Sequence, residues 1–411
     1  NAVLSLTGQT SGATATVTGA VYATTVTTAG AGTSAFSAAV TATTINADGT
    51  GTLSASEDLT AAVAFGADGT ISMAADKKIV GAISADTTGE GTLTFGTTIT
   101  NTTLASTTVG ASSKLLKAVN ITATDAAADD TTVTATMGGN VFATTVTATA
   151  TAAVADSDGD TVAFSGTVDA TTLNLDGAGS FTFADDVTAA VVVSGDSTST
   201  VAAGKIVVGA VTNDGTTGNG TLTYSPHVAD GTIVLASSTI GASGAALKAV
   251  NATITNSSNN ADSQGTFAGN IYATTVTATA SLDDGTNVDT IQFSGTVDAT
   301  NLNLEGAGEF AINNTVTAIT TIGGNSETTV AANKGFVGVV TNDSGSATGT
   351  LTFSATTTDT TLASSTIGTT LATGLTAITA SSTAGTATFG SDIYATTVTA
   401  TATDSTGSDK I

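Results

Sequence analysis

Carboxylates are the one abundant group in this chain that could do chemistry. There are 33 Asp and Glu against 8 Lys, no Arg, no Cys and one His, His227. The run Asp156-Ser157-Asp158-Gly159-Asp160 sets three carboxylates at alternate positions around a glycine bend. That spacing lets several oxygens converge on a hard cation such as calcium. Asp283, Asp284 and Asp289 hold the related place further along. The six residues are therefore the expected metal ligands, with calcium as the expected cofactor. Bound ions would bridge turns and stiffen the chain. The glutamate that closes a twelve-residue calcium loop is absent, and a solvated acidic turn accounts for the same residues.

Catalysis has little else to draw on. No thiol is present as a nucleophile. A Ser–His–acid arrangement would need His227, which follows Pro226 in what reads as a loop, and no serine is marked as its partner. Paired carboxylates could hydrolyse a glycosidic bond. Most of the aspartates, however, stand in Asp-Gly turns such as Asp48-Gly49 and Asp176-Gly177. The expectation is no enzyme, with a polysaccharide-active enzyme as the least favoured reading. A formal net charge of −25 excludes nucleic acid as a partner, because phosphate neutralisation needs clustered cations. Anionic membrane surfaces are disfavoured for the same reason. Apolar runs such as Ala189–Val193 fall far short of the roughly 20 residues that span a bilayer, so no membrane insertion is expected of this segment.

The elements that position these acids are repeated. Val21-Tyr22-Ala23-Thr24-Thr25-Val26-Thr27 returns as VFATTVT from Val141 and as IYATTVT from Ile271 and Ile393, at steps of 120, 130 and 122 residues. Gly91-Thr92-Leu93-Thr94-Phe95 returns from Gly220 and Gly349, each time after 129 residues. Phe36, Phe164 and Phe293 keep matching places. Such order marks an internal repeat. The segments are 1–20, the end of a preceding repeat; 21–140, 141–270 and 271–392, three repeats; and 393–411, the start of a fourth. The chain thus reads as a processed product or a window on a longer array.

Alternation of small apolar residues with Thr, broken by Asp-Gly turns, reads as short strands throughout. Tyr272, Val276, Ala278 and Ala280 share one parity and Thr275, Thr277 and Thr279 the other, which predicts an apolar inner face and a Thr outer face. No helical period of useful length is present. The fold class is all-β, a parallel β-helix (β-solenoid) of ~129-residue repeats. With coils of ~20 residues stacked at ~4.8 Å, one repeat spans about six coils. Tandem β-sandwich domains, one per repeat, are the alternative. One Pro, no Trp and four Tyr favour the thin stacked core.

Ile240-Gly241-Ala242-Ser243-Gly244-Ala245-Ala246-Leu247-Lys248-Ala249-Val250, leading to Gly265-Thr266-Phe267-Ala268-Gly269-Asn270-Ile271-Tyr272-Ala273-Thr274, resembles the repeats of large bacterial surface proteins. The passenger regions of rickettsial outer-membrane autotransporters are similar, as is the Thr/Ala/Gly-rich style of S-layer proteins. The resemblance implies an exported, cell-surface, β-rich scaffold or adhesin. The expected function is structural: part of a surface fibre, S-layer or adhesin stalk, located outside the cell, whose partners are further copies of itself or further repeats of a longer chain. An adhesin module for a glycan or receptor is the second reading, and the break in the repeat at Tyr224-Ser225-Pro226-His227 is its nearest site. Two surface features complete the reading. Thr-x-Thr rows could order ice if they aligned on adjacent coils, but they cluster around the YATTVT motif. Asn-x-Ser/Thr sites at Asn101, Asn120, Asn219, Asn251, Asn256, Asn313 and Asn342 matter only in a glycosylating host.

Overall fold

The computed structural model describes residues 2–125, 132–151, 159–215, 218–227, 231–255, 262–283, 287–343, 348–370 and 374–403, without the side chains of 283 and 287. Contacts divide the chain into two units, Asn1–Val201 and Ala202–Ile411. Both are stacks of parallel strands wound as a β-solenoid, and no helix is present among the described residues.

The first coils of the first unit open on a long strand that bends once and close on a short one. The strand Val21–Ala29 buries Val21, then Val26 and Thr28. The inward parity changes between them, so one strand serves two walls. Val40–Ala47 and Leu59–Phe65 stack on it in parallel, with a register shift between Thr41 and Thr44 at the bend. One coil later the long strand is cut into Ile79–Val80 and Ile83–Ala85, both paired to Leu59–Phe65. The third wall is formed by Thr14–Val17, Thr33–Phe36, Thr52–Ala55 and Thr70–Met73. Successive partners Val21, Val40, Leu59 and Ile79 lie 19, 19 and 20 residues apart. This spacing sets the coil length.

Parallel pairing between coils satisfies the backbone along the axis, and the β-branched residues suit the pleat. Each inward side chain rests on its counterpart in the next coil. Phe36, Ala55 and Met73 form one such ladder. Phe164 and Phe183 stack with ring centroids 5.3 Å apart and planes 6° from parallel. The second unit repeats this with Phe267 and Phe293, at 5.5 Å and 12°. Aromatic stacking therefore joins neighbouring coils within a repeat, and equivalent positions of different repeats do not meet. At the turn after the long strand, chains approach too closely for side chains: a Cβ on Gly49 would lie 2.3 Å from the Gly30 carbonyl oxygen.

The second unit is built alike. Ile271–Ala280 pairs with Val297–Gly306, which pairs with Val316–Ile322. Ser263–Phe267, Thr290–Phe293, Glu309–Ile312, Glu327–Val330 and Thr350–Thr356 form the third wall. The bend corrects the expected faces of the motif. Ile271 and Ala273 point inward, then Val276, Ala278 and Ala280, so Tyr272 points outward. Tandem sandwiches are excluded, because the coils pair in parallel. The antiparallel pairing is local: Leu282–Asp283 with Asn287–Val288, and bridges such as Ala111 to Lys114 and Ala242 to Ala245.

The repeat does not match a whole number of turns. In the first unit Val26 pairs with Ile45, Ile45 with Val63, Val63 with Ile83, Ile83 with Val109 and Val109 with Val141. Val141 is the sequence counterpart of Val21, yet it arrives on the wall of Val26. The second unit does the same: Val276, Leu302, Thr320, Val340, Ile367 and Ile393 form one ladder, and Ile393 is the counterpart of Ile271. These two repeats thus each advance five turns plus one wall of three, where a count of about six coils is expected from length alone. The long inserts explain the difference: the step from Val109 to Val141 takes 32 residues.

Candidate functional site

Two of the six acids expected to bind metal are engaged by the protein. Asp160 is 2% exposed. Its carboxylate accepts the backbone N–H of Asp125 at 2.8 Å, that of Val133 at 3.1 Å and the hydroxyl of Thr151 at 3.0 Å. Its own N–H donates to the Thr151 carbonyl at 2.9 Å. Residues 125 and 133 flank one insert, and residues 151 and 160 flank the insert of the next coil. The carboxylate therefore joins chain segments from two coils where they lead into and out of these two insertions. Asp289 does the same in the second unit. It is 2% exposed and accepts the N–H of Ser263 and the hydroxyl of Ser281, and its own N–H donates to the Ser281 carbonyl. Asp156, Asp158 and Asp284 lie outside the described residues, as does the side chain of Asp283. Among the described residues no three acidic, His or Cys side chains are grouped to hold a metal.

A second set of acids recurs at the corner that ends the second wall. In the first unit a Cβ on Gly66 would lie 2.6 Å from Asp48 Oδ1 and 3.5 Å from Asp86 Oδ2. Carboxylates from the coils before and after thus lean over the glycine. In the second unit Glu305 Oε2 and Asp343 Oδ2 lean over Gly323 in the same way, at 2.5 and 2.9 Å. Burial, together with the charge of Asp343, raises the Glu305 pKa above the usual carboxylate range. In the copy at Ser194 the notch holds a hydroxyl, which donates to Asp176 Oδ1 at 2.7 Å. The repeated Asp-Gly and Glu-Gly turns are visible in sequence, but the carboxylate one coil on is not.

The glycan-or-receptor candidate at Tyr224–His227 is corrected by burial. Tyr224 is 2% exposed and His227 8%, both in the strand Asn219–His227. His227 is not in a loop. Tyr224 stands edge-on to Phe267 at 5.8 Å, and burial alone raises its hydroxyl pKa far above the usual tyrosine range.

In the outward rows next to the motif, threonine meets asparagine on the adjacent coil. Thr94, Asn120, Thr147 and Asn174 form one row in the first unit, with an amide-to-hydroxyl bond of 3.4 Å from Asn174 to Thr147. Thr223, Asn251, Thr277 and Asn303 form one in the second, where Asn251 donates to Thr223 at 3.2 Å. Asn alternates with Thr, so the rows bond to themselves.

One concave site was not foreseen. In the second unit a hairpin with an Ala242–Ala245 bridge, its tip at Ser243 and Gly244, overhangs Tyr272 and Asp298. The open groove between them measures about 230 Å³. The signal for it in the sequence is Tyr272 itself, once the bend places that residue outside.

No family model matches the chain, and neither a curated protein nor a solved structure is similar to it. The fold alone defines the class, which is a parallel β-solenoid built from internal repeats. Among the described residues no helix is long and apolar enough to cross a membrane.

Proposed function

We propose that the chain is a structural repeat protein of the cell exterior, forming part of a surface fibre, S-layer or adhesin stalk. The observation that supports this most is the ladder from Val26 to Val141. One repeat passes into the next without a break in the stacked backbone, so added repeats become added length by nearest-neighbour packing. The buried acids fit the same reading, because Asp160 and Asp289 are used to hold coils together. Further copies or further repeats are the partners, and catalysis has no part in it. Calcium at the acidic inserts would stiffen the stack, and it would rest on Asp156, Asp158, Asp283 and Asp284. Melting in the presence and absence of a chelator tests that point.

Immunogold labelling of intact source cells tests the main proposal. Label on a filament or lattice outside the cell is the expected result. Label confined to the cell interior contradicts it, and isolated rods labelled below a distinct tip favour the adhesin stalk over the lattice.

A further inference from the structure

The groove beside Tyr272 has the chemistry of a carbohydrate subsite, and we propose that it binds neutral polysaccharide chains, one sugar ring per groove. Its lining combines the aromatic ring of Tyr272, the carboxylate of Asp298, hydroxyl residues Ser243, Thr274 and Thr300, and small residues that include Ala246. A pyranose ring offers the matching set: a C–H face for the aromatic ring, and hydroxyls that both donate and accept. The two carboxylate oxygens can take two neighbouring hydroxyls. Asp298 and the Tyr272 hydroxyl have no hydrogen-bond or ion-pair partner among the described residues, so both are available to a ligand. Tyr272 and Asp298 face each other in register on adjacent coils, which holds their spacing rigid.

The hairpin is held on both sides. Gly241 donates to the Val211 carbonyl at 2.7 Å, and Tyr272 donates to the Ile240 carbonyl at 2.8 Å. Gly241 has φ +72, and a Cβ there would lie 2.1 Å from the Tyr272 carbonyl oxygen. The site is therefore preformed.

The first unit repeats the backbone arrangement, with Phe142 at the place of Tyr272. Phe142 pairs with Asp169, the Ala111–Lys114 hairpin lies alongside, and Gly110 makes the same close approach to Phe142. Nothing in the core requires these outward aromatics, since Thr188 and Thr317 fill the same outward place one coil beyond Asp169 and Asp298.

Ligand size and charge follow from the site. The volume is below the about 300–1,000 Å³ of pockets that enclose a drug-sized molecule, which suits one ring of an open-ended chain. A net charge of −25 and Asp298 itself repel acidic polysaccharides. This proposal stands apart from the structural one, because a scaffold with no sugar affinity would leave the latter intact.

Affinity electrophoresis of the full chain tests it, in native gels cast with dextran, galactomannan, xyloglucan or mixed-linkage β-glucan. Retardation by at least one neutral polymer is expected. The quadruple variant Phe142→Ser, Asp169→Ala, Tyr272→Ser, Asp298→Ala should lose at least tenfold in apparent affinity. Asp298→Asn alone, which is isosteric and spares the fold, should lose at least twofold with an unchanged melting temperature. No retardation in any gel overturns the proposal, as does equal retardation of wild type and the Asp298→Asn variant. Release of the retarded protein by tetramethylammonium but not by free oligosaccharide also overturns it, since that would mark the site as a cation cage.

Discussion

Val141 stacks in the ladder of Val26, although it repeats the motif position of Val21. A repeat that moves one wall per copy turns its surface features around the axis. Within the first unit, Tyr22 pairs outside with Thr41 on the first wall, and Phe142 belongs to the wall of Val26. The same solenoid core is kept because all three walls accept the same small apolar residues.

Thr320 is fully buried in the ladder of Val276, Leu302 and Val340, and its hydroxyl has no partner. Val63 and Val191 fill the same place in the other repeats. Thr320→Val should therefore stabilise the chain by about 1 kcal/mol, because an unpaired hydroxyl is replaced by a methyl of the same shape. A denaturant titration should show a higher midpoint with an unchanged slope.

Asp160→Ala leaves the N–H groups of Asp125 and Val133 without their acceptor. The expected loss is about 2–3 kcal/mol. Amide exchange should rise first in the strands Leu116–Ala123 and Val141–Ala150, which lead into the two inserts. Asp160→Asn keeps one acceptor oxygen and should lose less.

Asp76 has φ 60 and caps a turn one coil away, accepting the N–H groups of Thr98, Ile99 and Thr100. Burial pushes its carboxyl upward, but these bonds and the Thr98 hydroxyl outweigh it and hold the pKa below the usual value. Its stabilisation is present above the unfolded-state pKa and is lost as pH falls through the lower folded value. Asn333 makes the equivalent cap at φ 59 with a neutral side chain. Asp76→Asn should hence keep the cap and remove that part of the acid sensitivity, and Asp76→Ala should lose about 1 kcal/mol at neutral pH. Melting curves from pH 7 to pH 3 check both.

Glu305 behaves in the opposite sense. Burial and the Asp343 charge raise its folded pKa, so the ionised form costs stability at neutral pH and the cost is relieved as pH falls through that raised value. Glu305→Gln should raise the melting temperature at pH 7 by a small amount, equivalent to less than about 1 kcal/mol. The difference should vanish in acid, where both side chains are neutral.

Much of the core could be read from sequence. Leu93 and Phe95 are inward as the alternation implies, and Phe36, Phe164 and Phe293 are all buried. The bend in Ile271–Ala280 was hidden because Thr274 and Thr275 are alike, so parity could not reveal where the face switches. That same ambiguity concealed the groove at Tyr272. The step of five turns and one wall was hidden by the inserts, which lengthen coils without adding turns. The role of Asp160 and Asp289 had a signal that could have been used. Their counterpart in the first repeat is Gly32, where the connection between strands is short. Asp160 and Asp289 stand there where the connection is longer.

The absence of cysteine allows the stacking to be tested with engineered disulfides. Asn120 and Thr147 are paired outward positions, the first at the end of one repeat and the second in the opening strand of the next, and Thr94 pairs with Asn120 one coil earlier. Oxidation of the double variants Thr94→Cys/Asn120→Cys and Asn120→Cys/Thr147→Cys should close both cross-links within the monomer. If the first forms and the second does not, the repeats do not share one continuous stack and the account fails.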